Sequence, residues 1–173
     1  MAFMYNNTKD EAVKAYAAEL VALLAKSQEA WGKKYGPAGE GYLFPFDPIV
    51  FDVLEHKVPR SGHNLYSVPF YTVHKVMAGL IDQYTHAGNE QAFTVVKGMA
   101  GWVQQNVEAT IGRGGTKLWQ EVLGTEWGGM NEALFNLYAL TGDPAHLKTG
   151  RCLPHTSQPV LPPCAPAVET EPN

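Results

Sequence analysis

The stretch LFNLYALTGDPAHLKTG, Leu134 to Gly150, holds the pattern on which the fold turns. Just before and within it Met130, Leu134, Leu137, Tyr138 and Leu140 recur at three- and four-residue steps, which marks a helix with one apolar face. Gly142, Asp143 and Pro144 then stop that helix. The same order occurs twice earlier, in AFMYNNTKDEAVKAYA from Ala2 and LIDQYTHAGNEQAFTVV from Leu80. In each copy a tyrosine (Tyr5, Tyr84, Tyr138) precedes an Asp or Asn (Asp10, Asn89, Asp143) by five residues. The pattern reads as a helix ending on a packed aromatic, a short turn, and a side chain able to cap the next helix. The chain is therefore expected to be all-α and built from helical hairpins. The unequal spacing of the copies suits hairpins set around a toroid better than a solenoid of strict short repeats.

The helices between these turns follow. Asp10 to Trp31 carries Val13, Tyr16, Ala17, Leu20, Val21 and Leu24 on one stripe. A second helix opens at Ser67 and Pro69 and runs to Tyr84, a third spans about Glu90 to Val107, and the fourth lies in the opening stretch. No alternating strand pattern stands out. Two Gly/Pro-rich segments, GPAGEGYLFPFDPIVFD and IGRGGTKLWQ, read as long loops. Few residues precede Tyr5, and no trailing helix is expected after Asp143. From Arg151 the sequence RCLPHTSQPVLPPCAPAVETEPN is proline-rich and aperiodic. Residues 1–149 thus read as a partial helical toroid and 150–173 as a disordered tail. Apolar faces made for absent neighbours are expected to lie exposed.

With 173 residues, 45% of them hydrophobic, the chain can bury a single core. Its net charge of −4 includes no Lys/Arg run to neutralise phosphates, so nucleic acid is not an expected partner. No apolar run approaches the roughly 18 residues that would span a bilayer, so no membrane partner is expected either. The N-terminus shows no basic segment followed by an apolar run; an intracellular chain is the expectation if Met1 is the true start. Cys152 and Cys164 have neither a CxxC partner nor His/Cys at metal-ligand spacing, and a structural or incidental role is expected.

Chemistry concentrates where the fourth helix begins. Glu126, Trp127, Asn131 and Glu132 crowd around two glycines at a point where free N–H groups and a close backbone would face a ligand. Two carboxylates across a sugar can serve as acid and as base or nucleophile, although sequence spacing alone leaves chance pairing open. His74 lies near the start of the second helix and off its main apolar stripe, where a solvent-facing or locally bonded His is the bland alternative. At about 100° per residue, Asn131 and Glu132 also fall away from the stripe of Leu134 and Leu137. His74 and at least one of Glu126, Asn131 and Glu132 are expected to line one concavity at one end of the bundle. GRGGTK lacks the order of a phosphate loop and reads as a flexible turn. The aromatic run GYLFPFDPIVF is either a sugar-stacking loop or a buttress against the helices.

Three of these segments, YTVHKVMAGLIDQY, EWGGMNEALFNLYALTGD and GYLFPFDPIVFDVLE, closely resemble the β-L-arabinofuranosidase family, glycoside hydrolase family 127. The similarity runs from about Ala2 to Lys148. It implies part of an (α/α) toroid, or six-hairpin barrel, whose inner helices begin around a sugar pocket, and a retaining hydrolase of terminal arabinofuranosides in plant-type glycans. By position it implies that His74, Glu126, Trp127, Asn131 and Glu132 bind substrate. It further implies a cysteine nucleophile in a zinc site of a glutamate and more cysteines, with a separate glutamate acid/base, all downstream of the EWGGMNE segment. Nothing in this chain matches those motifs, and Cys152 and Cys164 inherit no role. The expectation is a truncated family fragment that binds carbohydrate but is inactive alone, with no catalytic residue, metal ligand or cofactor of its own, zinc belonging to the intact family. The alternative is a non-catalytic helical-repeat module for sugar binding or protein interaction.

Overall fold

The computed structural model describes residues 1–59, 68–125 and 129–153. Among them the chain is all-α. Seven helices follow in order: α1 (Ala2–Thr8), α2 (Glu11–Tyr35), α3 (Ile49–Leu54), α4 (Pro69–Ala87), α5 (Glu90–Thr125), α6 (Met130–Thr141) and α7 (Pro144–Arg151). A 3₁₀ turn at Gly36–Gly39 follows α2 directly. None of these helices is long and apolar enough to cross a membrane.

The repeated turn has one geometry in all three places. The residue four after each tyrosine takes left-handed backbone: Lys9 at φ 56°, Gly88 at φ 68° and Gly142 at φ 69°. Its N–H donates to the carbonyl of Tyr5, Tyr84 or Tyr138, which closes the helix. The following Asp or Asn then caps the next helix. Asp10 Oδ1 accepts from the N–H of Ala12 at 2.8 Å, Asn89 Oδ1 from Ala92 at 3.1 Å, and Asp143 Oδ1 from Ala145 at 2.9 Å. Three hairpins result, α1/α2, α4/α5 and α6/α7.

These hairpins stack in two layers. α1 packs on α4 and α4 on α6, while α2 packs on α5 and α5 on α7. Equivalent helices therefore share a layer, as they do in a segment of an (α/α) toroid. The core between the layers includes Met77, Val96, Val103, Leu134 and Leu137, each fully buried or nearly so. Each such side chain contributes about 1.5–3 kcal/mol relative to exposure.

Four expectations need correcting. IGRGGTKLWQ is not a long loop: α5 is broken at a single non-helical residue, Gly115 (φ 67°, ψ −173°), and is helical on both sides of it, where Ile111, Trp119, Val122 and Leu123 all reach the core. The third hairpin does have a trailing helix, α7, capped by Asp143 and packed on α6. That helix runs past residue 149, where the helical part was expected to end. Gly150 and Arg151 are helical and Cys152 and Leu153 buried; Trp119 Nε1 donates to the Cys152 carbonyl at 2.6 Å. The rest of the expected tail, 154–173, lies outside the described residues. Finally, Tyr16, Leu20 and Leu140 are exposed rather than packed; with Phe3, Met4 and Leu23 they form uncovered apolar surface.

Candidate functional site

An aromatic cluster sets the start of α4. Phe51 of α3 makes edge contacts with Tyr42, Phe44, Phe70 and Trp102, and Phe70 makes another with Trp119 of α5. Phe70 stands in the first turn of α4, so this cluster fixes that helix end. The aromatic run GYLFPFDPIVF is thus a buttress: Tyr42, Phe44 and Phe51 are buried, and Tyr42 donates its hydroxyl proton to the Phe46 carbonyl at 2.6 Å.

One turn further on, His74 is 6% exposed, so the expectation that it avoids the packed surface needs qualification. The reason lies across the bundle. A Cβ on Gly129 would stand 2.6 Å from His74 Nε2, so the missing side chain at 129 is what makes room for the imidazole. Gly129 is the residue on which α6 begins. The starts of α4 and α6 are consequently at one end of the bundle, with His74 wedged between them.

Burial holds the His74 ring below the usual histidine range, and the neighbouring Lys75 ammonium pushes the same way. The Tyr71 carbonyl and the Glu132 carboxylate oppose them only in part. The ring is therefore neutral at pH 7, with one nitrogen able to donate and the other to accept. Among the described residues Nδ1 has no hydrogen-bond partner. A buried polar atom left in this way normally finds a partner in water or a ligand. Tyr71 stands edge-on to the ring at 5.5 Å and is itself exposed.

At the start of α6, Asn131 is half-buried and its Oδ1 accepts from the N–H of Glu132 at 2.9 Å. Glu132 is exposed and close enough to act electrostatically on His74. Gly129 provides no side chain to cap the helix, and Asn131 Oδ1 takes one of its first N–H groups, that of Glu132. The structure thus brings His74 and Glu132 to one end of the bundle, with Asn131 on the same turn. Glu126 and Trp127 lie outside the described residues.

A buried polar group that sequence reasoning missed is Glu55, which is fully buried behind α3. Its Oε2 accepts from Thr110 Oγ1 at 3.1 Å and pairs with Lys57 Nζ at 2.7 Å, while Arg113 donates to its backbone carbonyl. Burial pushes the carboxyl up, against the opposing pull of Lys57 and Thr110. Only its place in FDVLEHK, an acid within an apolar run and two residues from a lysine, hinted at this.

Cys152 is held in a disulfide, and among the described residues no three His, Cys, Asp or Glu side chains are grouped to hold a metal ion. Cys164 lies outside the described residues. A family model for the β-L-arabinofuranosidase GH127 catalytic domain matches residues 1–161. No curated protein matches the chain.

Proposed function

The chain belongs to the GH127 β-L-arabinofuranosidase catalytic-domain family, and from that premise we propose that the starts of α4 and α6 form one wall of a sugar pocket with His74 as its main contact. The observation that carries this is the neutral imidazole packed on Gly129 with an unpartnered Nδ1. Furanose hydroxyls both donate and accept, as the two ring nitrogens do. Asn131 and Glu132 add an amide and a carboxylate from the next helix, and Glu126 and Trp127 join them on the positional grounds of the resemblance. The ligand is a terminal arabinofuranoside of a plant-type glycan.

In this chain the reading is of binding without turnover. Retaining hydrolysis needs a nucleophile, and the family's cysteine must be a free thiolate to act as one. The chain has two cysteines, outside any matching motif, and the sulfur of Cys152 is already bonded. The exposed stripe of Tyr16, Leu20 and Leu23 favours a second reading, a helical interaction module.

Saturation-transfer NMR with methyl β-L-arabinofuranoside tests the proposal, alongside hydrolysis of a chromogenic arabinofuranoside. Transfer to the sugar that is lost in His74→Ala, with no sugar released, is expected. Transfer unchanged by His74→Ala would remove His74 from the site. Zinc-dependent hydrolysis abolished by Cys152→Ser or Cys164→Ser would show that the chain is itself an enzyme.

A further inference from the structure

A concavity lies between the 3₁₀ turn, α3 and the middle of α5. Its volume is about 310 Å³, within the range of small-molecule sites. It shares no residue with the His74 site. The buried rings of Phe51 and Trp102 border its base, and six polar side chains stand around it: Tyr35, Asp47, Asp52, Lys57, Gln105 and Asn106.

The hydrogen bonds already made restrict what these groups can offer. Tyr35 donates its hydroxyl proton to Asp47, whose other oxygen accepts from the N–H of Ile49 at 3.1 Å. These bonds, that of Tyr35 foremost, hold the Asp47 carboxyl below its usual range, so it is an ionised acceptor at neutral pH. Lys57 Nζ gives protons to Glu55 at 2.7 Å and Asp52 at 3.1 Å, which leaves one of its three. Asn106 Nδ2 donates to the Trp102 carbonyl at 3.0 Å, which leaves Oδ1 as its acceptor.

Charge then selects the ligand class. Three carboxylates, Asp47, Asp52 and the buried Glu55, stand against two ammoniums, Lys57 and the Lys34 that lies 3.8 Å from Asp47, and this net negative balance disfavours a phosphate or carboxylate ligand. A cation would face the Lys57 ammonium, and among the described residues no three acidic or metal-ligating side chains are grouped to coordinate it. What matches ionised acceptors, a few ammonium and amide donors and an apolar lining is a neutral molecule whose hydroxyls both donate and accept and whose C–H face packs. We infer that the groove between α3 and α5 is a second, non-catalytic binding site for a neutral polyol of monosaccharide size. The ligand class follows from the groove's own groups and does not depend on the His74 site.

The test is an amide NMR titration of the ¹⁵N-labelled chain with L-arabinose, repeated in Ala109→Trp and Gln105→Trp. Both substitutions place bulk in the groove from exposed positions on α5. Saturable shifts at Lys57, Gln105 and Asn106 are expected, weakened at least tenfold in either tryptophan variant and unchanged in His74→Ala. Shifts elsewhere in the spectrum serve as the folding control for each variant. Absence of saturable shifts at those residues in the unsubstituted chain would overturn the inference. So would shifts that persist in both folded tryptophan variants, or equal shifts from inorganic phosphate or Mg²⁺. No response at His74 in the unsubstituted chain, with the groove response intact, would instead refute the pocket proposal alone.

Discussion

The imidazole of His74 occupies the volume that a side chain on Gly129 would need, with Nε2 2.6 Å from the ideal Cβ position. The backbone of Gly129, at φ −77°, is open to any residue, so space and not conformation demands glycine there. Gly129→Ala should therefore destabilise the fold by about 1–3 kcal/mol, the usual cost of overpacking. Combined with His74→Ala the cost should be smaller than the sum, because the clash is gone. Urea denaturation of the four proteins measures the coupling; additive effects would show that the two residues do not share this space.

The pH dependence of stability should carry the mark of the same residue. His74 and His146 are both held below the ordinary histidine range by burial. Below about pH 6.5 the unfolded chain then binds protons that the folded chain resists. Their contribution is complete above that pH and is lost as the pH falls toward the folded values. Between pH 7.5 and 5 the unsubstituted chain should lose more stability than His74→Gln. Equal losses, measured by denaturation at each pH, would mean that His74 titrates as it does when unfolded.

Lys9 is the one non-glycine among the three left-handed turn positions, at φ 56° where Gly88 and Gly142 do the same work. Left-handed backbone costs a side-chain-bearing residue roughly 1–2 kcal/mol, part of which glycine's greater unfolded freedom takes back. Lys9→Gly should stabilise the chain by about 0.5–1 kcal/mol, and Gly88→Ala and Gly142→Ala should each destabilise it by about 1 kcal/mol. Thermal unfolding of the three variants checks the common geometry. A lower melting temperature for Lys9→Gly would contradict it.

Lys57 compensates a carboxylate with no access to solvent. Removing it as Lys57→Met leaves Glu55 buried with only Thr110 to oppose its charge. The expected cost is on the order of 1–3 kcal/mol, less than for a wholly enclosed pair because Lys57 is itself partly exposed. Adding Glu55→Gln should recover part of that loss. A double variant no more stable than Lys57→Met, judged by urea midpoints, would show that the charge on Glu55 is not the source of the cost.

The hairpins were legible in the sequence because their determinants are local. Each Tyr, the turn residue four positions on and the capping Asp or Asn lie within six residues, and all three turns fold as read, although the helix that follows the third was not expected. The continuation of α5 was not legible. Glycines 112, 114 and 115 suggest a long break, yet the break is confined to Gly115, and burial of Ile111, Trp119 and Leu123 holds helix on both sides of it. The burial of His74 depends on the absence of a side chain at position 129, far away along the chain. The groove needs Asp47, Asp52 and Asn106 brought together from three separate elements, a relation that no periodicity encodes. For the site itself, His74, Asn131 and Glu132 were named as substrate contacts by the positional resemblance, and the structure sets His74 and Glu132 at one end of the bundle.

The most direct measurement is a crystal structure of the chain soaked in methyl β-L-arabinofuranoside. A furanose oxygen within about 3.2 Å of a His74 ring nitrogen, with the sugar against the first turn of α6, is the predicted result. A sugar ordered only elsewhere, with both ring nitrogens of His74 bonded to protein or water, would contradict the pocket.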